Sequence, residues 1–322
     1  MMNRRDFLRC GSLMAVGGLL ACNGAKVTSG SPKGKLKSLG LQIYSLQQEL
    51  YDDLPARLAQ LKAMGYDKLE LAGYANGGKL GTMSLKEFKQ MVEDAGMHIL
   101  SSHVSPNWEG VPYCLDYSDK NLNKIYEYWK ATAADHAAIG CKYLVLPVMP
   151  TMKTHDQAKY VCDVLNKAAD IIRSEGIETG LGFHNHNMEF ERIQTPEQKK
   201  QLENDPFAPM MKVGDLKYDV MLQLTDPSKV YFEMDVYWTV MGKSDPVAYL
   251  KQYPDRFKVM HIKDVAVLGE SGMMNFENIF KQMYANGIED YFVELEGLTD
   301  GRTQFEGVEA CADYLQKAPF VK

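Results

Sequence analysis

Residues 122–146 read LNKIYEYWKATAADHAAIGCKYLVL, and the order of patterns inside this stretch decides the fold. Leu122–Ile139 has helical spacing, Gly140 suits a left-handed helix C-cap, and Lys142–Leu146 is a short apolar strand. The same helix–glycine–strand punctuation returns at Ala63-Met64-Gly65-Tyr66, Ala95-Gly96-Met97, Glu175-Gly176-Ile177 and Asn286-Gly287-Ile288.

Working outward, strands are expected at Leu39–Ser45, Lys68–Ala72, His98–His103, Lys142–Leu146, Thr179–His184, Val230–Val236, Phe257–Ile262 and Tyr291–Leu295. Helical patterns lie between most of them, at Leu54–Met64, Leu85–Asp94, Leu122–Ile139, Gln157–Ser174, Pro246–Gln252, Phe276–Ala285 and Val308–Ala318. This strand–helix alternation points to an α/β protein, a single (β/α)8 TIM barrel over residues 38–322. The competing doubly wound sheet lacks its G-x-G-x-x-G fingerprint, because Ser45-Leu46-Gln47-Gln48 follows the first strand. No P-loop and no Gly-x-Ser-x-Gly elbow is present either. The long connection 190–229, with a short helix expected near Tyr218–Leu222, is an insertion rather than a second domain.

The chain has 322 residues, 45% hydrophobic and 24% charged, which allows either two average domains or one barrel with extensions. Its net charge of −6 argues against a nucleic-acid partner. No apolar run reaches the roughly 18 to 20 residues of a membrane span.

Residues 1–21 read as an address. Arg4 and Arg5 precede the apolar run Leu13–Ala21, which ends Leu19-Leu20-Ala21-Cys22. This resembles a twin-arginine export signal joined to a lipoprotein box. On that resemblance Cys22 is lipidated, residues 22–37 form a tether, and the protein sits in the periplasm, touching the membrane through its lipid alone. Removing Arg4, Arg5, Arg9 and Asp6 takes away a net +2 and leaves about −8. Of six cysteines, Cys10 leaves with the signal; Cys114, Cys141, Cys162 and Cys311 match no metal or redox spacing and read as buried thiols.

Chemistry in such barrels gathers at the C-terminal ends of the strands. Those ends carry His103, then His184-Asn185-His186, Glu233-Met234-Asp235, His261-Ile262-Lys263-Asp264 and Glu294-Leu295-Glu296. Burying such groups is costly unless they pair or hold a cation. His184, Asp235, His261 and Glu294 offer one ligand from each of strands five to eight to one divalent ion. Mixed imidazole and carboxylate ligation suits Mn, Co, Fe, Ni or Zn. Strand alternation puts Lys263 on the side of His261, Glu233 with Asp235, and Glu296 with Glu294. Trp108 and Trp238, near strand ends, offer flat apolar faces to a bound small molecule, with His103 and Glu233 as further substrate contacts.

With these residues in view, the chain over roughly 38–320 resembles the xylose-isomerase-like barrels, especially sugar phosphate isomerases and epimerases, tagatose-type epimerases and inosose dehydratases. The carrying stretches are Leu181-Gly182-Phe183-His184-Asn185-His186, Phe232-Glu233-Met234-Asp235, Val259-Met260-His261-Ile262-Lys263-Asp264 and Phe292-Val293-Glu294. The resemblance implies Glu, Asp, His and Glu on strands five to eight around one metal. Asp235, His261 and Glu294 match; strand five departs, with His184-Asn185-His186 where the family has Glu-Asn-His. Glu189, five residues on, is the other candidate for a strand-five carboxylate.

The implied activity is isomerisation or epimerisation by proton abstraction beside a carbonyl, with Glu294 as ligand and base and His186 or Lys263 as partner acid. A periplasmic location favours an unphosphorylated sugar or keto-sugar as the small-molecule partner. The strand-five change also suits a keto-glycoside lyase or dehydratase. Outside catalysis, the competing expectation is a sugar-binding lipoprotein that has lost turnover. An abasic-site endonuclease of related fold is opposed by the acidic charge.

Overall fold

The computed structural model describes residues 36–75, 77–207 and 212–322. Arg4, Arg5, the apolar run, Cys22 and the tether up to Lys35 lie outside the described residues. Eight apolar runs form the parallel strands β1 (Leu39–Gln42), β2 (Tyr66–Leu71), β3 (His98–His103), β4 (Tyr143–Leu146), β5 (Leu181–His184), β6 (Val230–Asp235), β7 (Phe257–Lys263) and β8 (Asp290–Glu294). Each pairs with the next in chain order, and Leu41 opposite Val293 joins β8 to β1, so the sheet closes as the expected barrel.

The helices that wrap it are α1 (Leu54–Met64), α2 (Leu85–Asp94), α3 (Leu122–Ala138), α4 (His155–Ser174), α5 (Lys217–Leu224), α6 (Pro246–Gln252), α7 (Phe276–Ala285) and α8 (Gln304–Lys317). In α3, Ile125, Tyr128, Trp129, Thr132, Ala133 and His136 are buried, a spacing of three and four that marks one helix face. All five glycines of the helix–strand junctions take positive φ.

Element ends differ from the periodicity where a side chain intervenes. β1 stops at Gln42 rather than Ser45 because the Gln42 side chain accepts from the Tyr44 amide and turns Ile43–Leu46 into a 3-10 helix. α8 starts four residues before Val308, since Thr303 and Glu306 form a reciprocal capping box. Between β2 and α2 the chain makes a small three-stranded sheet, Tyr74–Ala75, Lys79–Leu80 and Met83–Ser84, that the sequence pattern did not announce. The 190–229 connection contains a two-stranded ribbon, Arg192–Ile193 with Asp215–Leu216, the helix Pro196–Leu202, and α5. The four cysteines among the described residues are buried free thiols.

Inside the barrel, Tyr143, Val145, Tyr231, Val259 and Phe292 pack as a separate apolar cluster. Glycine makes the room. A Cβ on Gly182 would stand 2.6 Å from the Tyr231 ring, and one on Gly40 would stand 2.0 Å from the Tyr291 carbonyl oxygen. Gly40 therefore lets β1 approach β8 at the closing seam. Gly40→Ala is expected to cost about 1–3 kcal/mol or more, since backbone rather than a flexible side chain must move. A thermal midpoint unchanged from wild type in calorimetry would contradict this account of closure.

Candidate functional site

β5 to β8 end side by side, and their registers bring the polar residues level. His184 lies opposite Glu233, Asp235 opposite His261, and Lys263 opposite Glu294. His184, Asp235, His261 and Glu294 are all buried, and one ligand atom from each lies within 4.8 Å of all the others. Asp235 divides its work. Its Oδ1 accepts from the Trp238 amide at 2.7 Å, capping the helix Val236–Met241, while Oδ2 has no hydrogen-bond partner. Both ring nitrogens of His184 are likewise buried without a hydrogen bond. Orphaned atoms on one imidazole and one carboxylate, beside the paired His261 and Glu294, fit the donor set of a divalent transition ion.

His261 is the centre of this arrangement. Its Nδ1 faces Glu294 at 3.4 Å and Asp235 at 3.9 Å; its Nε2 meets Glu70 Oε2 at 2.5 Å. Glu70, at the end of β2, is fully buried and also accepts from Ser101 Oγ at 2.6 Å and Gln42 Nε2 at 2.8 Å. A carboxylate on the far nitrogen orients the ring and turns Nδ1 toward Glu294 and Asp235. On the same side, His103 Nε2 lies 2.7 Å from Glu233 and 3.3 Å from Glu70. With His184 and His261, His103 and Glu233 make a second close group that shares two members with the first.

The electrostatics follow from this crowding. Burial alone would lower the His261 pKa, yet Glu233, Glu70 and Glu294 hold it well above the usual histidine value. Burial, then the neighbouring imidazoles of His261 and His103, push His184 well below it, so His184 stays neutral and able to ligate. Burial and the nearby Glu294 raise Asp235 to about 7; burial and Glu70 raise Glu233 to about 7. Glu294, despite its burial, is held far below the carboxylate range by His261 and Lys263.

Residues 58–318 match the xylose isomerase-like TIM barrel family. The chain belongs to that family. A solved sugar phosphate isomerase/epimerase from Parabacteroides distasonis is 62% identical, with 89% of this chain and 100% of that one covered at a TM-score of 0.84. A second solved structure of that description and organism is 43% identical, covering 91% and 98%, with a TM-score of 0.80. The inosose dehydratase of Geobacillus kaustophilus is 22% identical over 224 residues, 65% of this chain; the match spans 61% of that protein's length.

In this xylose isomerase-like barrel His184, not Glu189, is the strand-five residue within 4.8 Å of the candidate donor atoms of Asp235, His261 and Glu294. Glu189 turns away: its Oε2 accepts from the His186 amide at 2.8 Å, and burial raises its pKa to about 7. Asn185 also points away. It accepts from the Asp235 amide at 3.2 Å and donates to the Asp235 carbonyl at 3.3 Å, which locks the end of β5 to that of β6. Lys263 Nζ sits 2.8 Å from Glu296 and 3.5 Å from Glu294, and these carboxylates outweigh burial and keep it an ammonium. Asp264, next in sequence, shapes a loop instead, accepting from the Val265 and Gly269 amides and the Ser271 hydroxyl.

The mouth opens as a cavity of about 680 Å³ whose lining includes His103, His184, His186, Glu294 and Glu296. Trp238 lies beside it, 5.7 Å from the His186 ring. Trp108 is not in that lining. It pairs with Val111 and packs, partly buried, against the apolar core, with Lys124 5.1 Å over its ring. Sequence reasoning passed over Glu70, although it stands at a strand end as Glu233 does, and over Gln42 and Ser101 that hold it.

Glu70→Gln is expected to weaken metal binding roughly 10- to 100-fold while the fold persists, because the ring of His261 is no longer oriented by a charge. Isothermal titration with Mn²⁺ or Zn²⁺ checks this; unchanged affinity would remove Glu70 from the support of the site. Glu189 yields a pH test. Its folded pKa of about 7 lies above its ordinary 4.5, so the folded state keeps a proton that the unfolded chain sheds between those values. Stability therefore falls as pH rises through that window, by on the order of 1–3 kcal/mol. Glu189→Gln keeps the acceptor without the charge and should flatten the loss, read from denaturant midpoints at pH 5 and pH 8.

Proposed function

We propose that this isomerase/epimerase-like enzyme depends on one divalent metal ion and abstracts a proton beside a carbonyl of an unphosphorylated sugar or keto-sugar. The observation that carries the metal is the set of buried, unpartnered ligand atoms on His184 and Asp235, facing His261 and Glu294. Bound there, Mn, Co, Fe, Ni or Zn would polarise a substrate carbonyl or hydroxyl and lower the pKa of the adjacent C–H.

The residues divide the remaining work. Glu294, ionised and at the cavity wall, accepts the proton. Lys263, an ammonium paired with Glu294 and Glu296 and itself outside the lining, is one source for its return, and His186, in the lining, is the other. His103, braced by Glu233, holds substrate oxygens, and Trp238 borders the ring.

Two observations support a substrate without phosphate. Among the described residues, the cavity lining contains no lysine or arginine, the side chains that usually bind phosphate. The Arg4-Arg5 signal and the Cys22 box favour an exported, lipid-anchored protein in the periplasm, where free sugars are the available class.

A second reading is favoured by His184. A symmetric epimerisation by carboxylates on strands five and eight lacks its strand-five member, and Glu189 does not replace it. Elimination from a keto-glycoside, or dehydration, needs one base and one leaving-group acid, which Glu294 and Lys263 supply.

Elemental analysis of the purified full chain should find about one divalent ion, and Asp235→Ala should cut its affinity at least roughly tenfold. A panel of free and keto-hexoses in D₂O, followed by NMR, should show deuterium entering beside a carbonyl, and chelation should stop it. A metal-free protein that turns over sugars regardless of chelator would overturn the proposal; one that binds sugars without exchange would support the non-catalytic lipoprotein instead.

A further inference from the structure

The cavity over the ligand group is lopsided. The segments after β5 and β8 line it with His184, His186, Glu294 and Glu296, whereas those after β1, β3 and β4 bring Tyr44, Pro112, Tyr113, Pro147 and Val148 beside His103, Ser105 and Asn107. Tyr44 and Tyr113 leave 52% and 61% of their surface in water. Aromatic surface held open at the rim of a cavity is the mark of a binding face.

Neither tyrosine hangs on a slack segment. Tyr113 belongs to a loop tied by the Trp108–Val111 pair at 3.0 and 2.8 Å and by the Cys114 amide donating to the Pro106 carbonyl at 2.7 Å. Cys114 beside it is buried. Tyr44 stands in the 3-10 turn that Gln42 caps, its amide 3.1 Å from the Gln42 side-chain oxygen.

We propose that this wall is a second subsite, which packs a neutral ring joined to the reacting sugar, so that the substrate is a glycoside rather than a free monosaccharide. The inference rests on the sugar chemistry proposed above and narrows it. A pyranose placed over His184 and Glu294 occupies the polar end, and the cavity continues past it to the tyrosines. Sugar rings present a C–H face that packs on an aromatic side chain, and so does a flat aromatic aglycone. Tyr44, Pro112, Tyr113, Pro147 and Val148 carry no charge, and His103 on the same side is already paired with Glu233, so this part of the cavity discriminates against an ionic substituent.

Ligand-observed NMR titration of the metal-loaded full chain tests this with D-glucose, phenyl β-D-glucoside and cellobiose, and with D-galactose, phenyl β-D-galactoside and lactose. At least one glycoside should bind roughly tenfold more tightly than its free hexose. The phenyl and disaccharide arms report whether the second ring is aromatic or a sugar. Tyr113→Ala and Tyr44→Ala should each remove about 3- to 10-fold of that gain and leave free-hexose binding alone, whereas Tyr113→Phe keeps it. Equal binding of glycosides and hexoses, or alanine variants that weaken both alike, would overturn the subsite. Metal content of the same preparations distinguishes failure of the subsite from failure of the metal site: a chain that holds no ion yet prefers glycosides contradicts the metal proposal and not this one.

Discussion

The site depends on one buried imidazole held between carboxylates on both of its edges. His261 has no exposure, with Glu70 on its Nε2 side and Asp235 and Glu294 on its Nδ1 side. Such a ring cannot flip or drift without leaving a buried charge unpaired, which costs several kcal/mol. Its position fixes which nitrogen is offered to an ion, and its neighbours on β6 and β8 take their places around it. The pair with Glu70 spans 191 residues, so it also ties the early strands to the late ones.

Barrel closure makes that pairing possible. Parallel strands end together, so residues distant in the chain arrive at one mouth. Beneath the mouth, Tyr143, Tyr231 and Phe292 fill the interior, and Gly40 and Gly182 admit them. The aromatic layer excludes water from below, which strengthens every electrostatic contact above it. Asn185 and the Asp235 helix cap then hold the Asp235 carboxylate rigidly, so its unpartnered oxygen has one direction to point.

The strand-five histidine changes the charge of the site more than its shape. With His184 neutral, the four close residues offer two imidazoles and two carboxylates, so an ion held there would keep more effective charge than among three carboxylates. The cavity lining after β5 and β8 carries His186, Glu294 and Glu296, with Lys263 paired to both glutamates, while Tyr44 and Tyr113 line it from the segments after β1 and β3.

The sequence alone determined the repeating helix–glycine–strand order and the residues at the ends of β3 and β5 to β8, because local periodicity and parallel topology specify both. His184, Asp235, His261 and Glu294 were legible for that reason. What tertiary structure decided were matters of direction and distance. Glu70 sits at a strand end like Glu233, but its value lies in reaching His261 across the barrel, and no local pattern encodes that reach. Glu189 looked able to restore a carboxylate, yet a short turn aims it at the His186 amide. Trp108 follows a strand end but packs against the apolar core, whereas Tyr113, five residues later, lines the cavity. Local spacing says which residues arrive at the mouth; packing among distant segments sets which way each side chain turns.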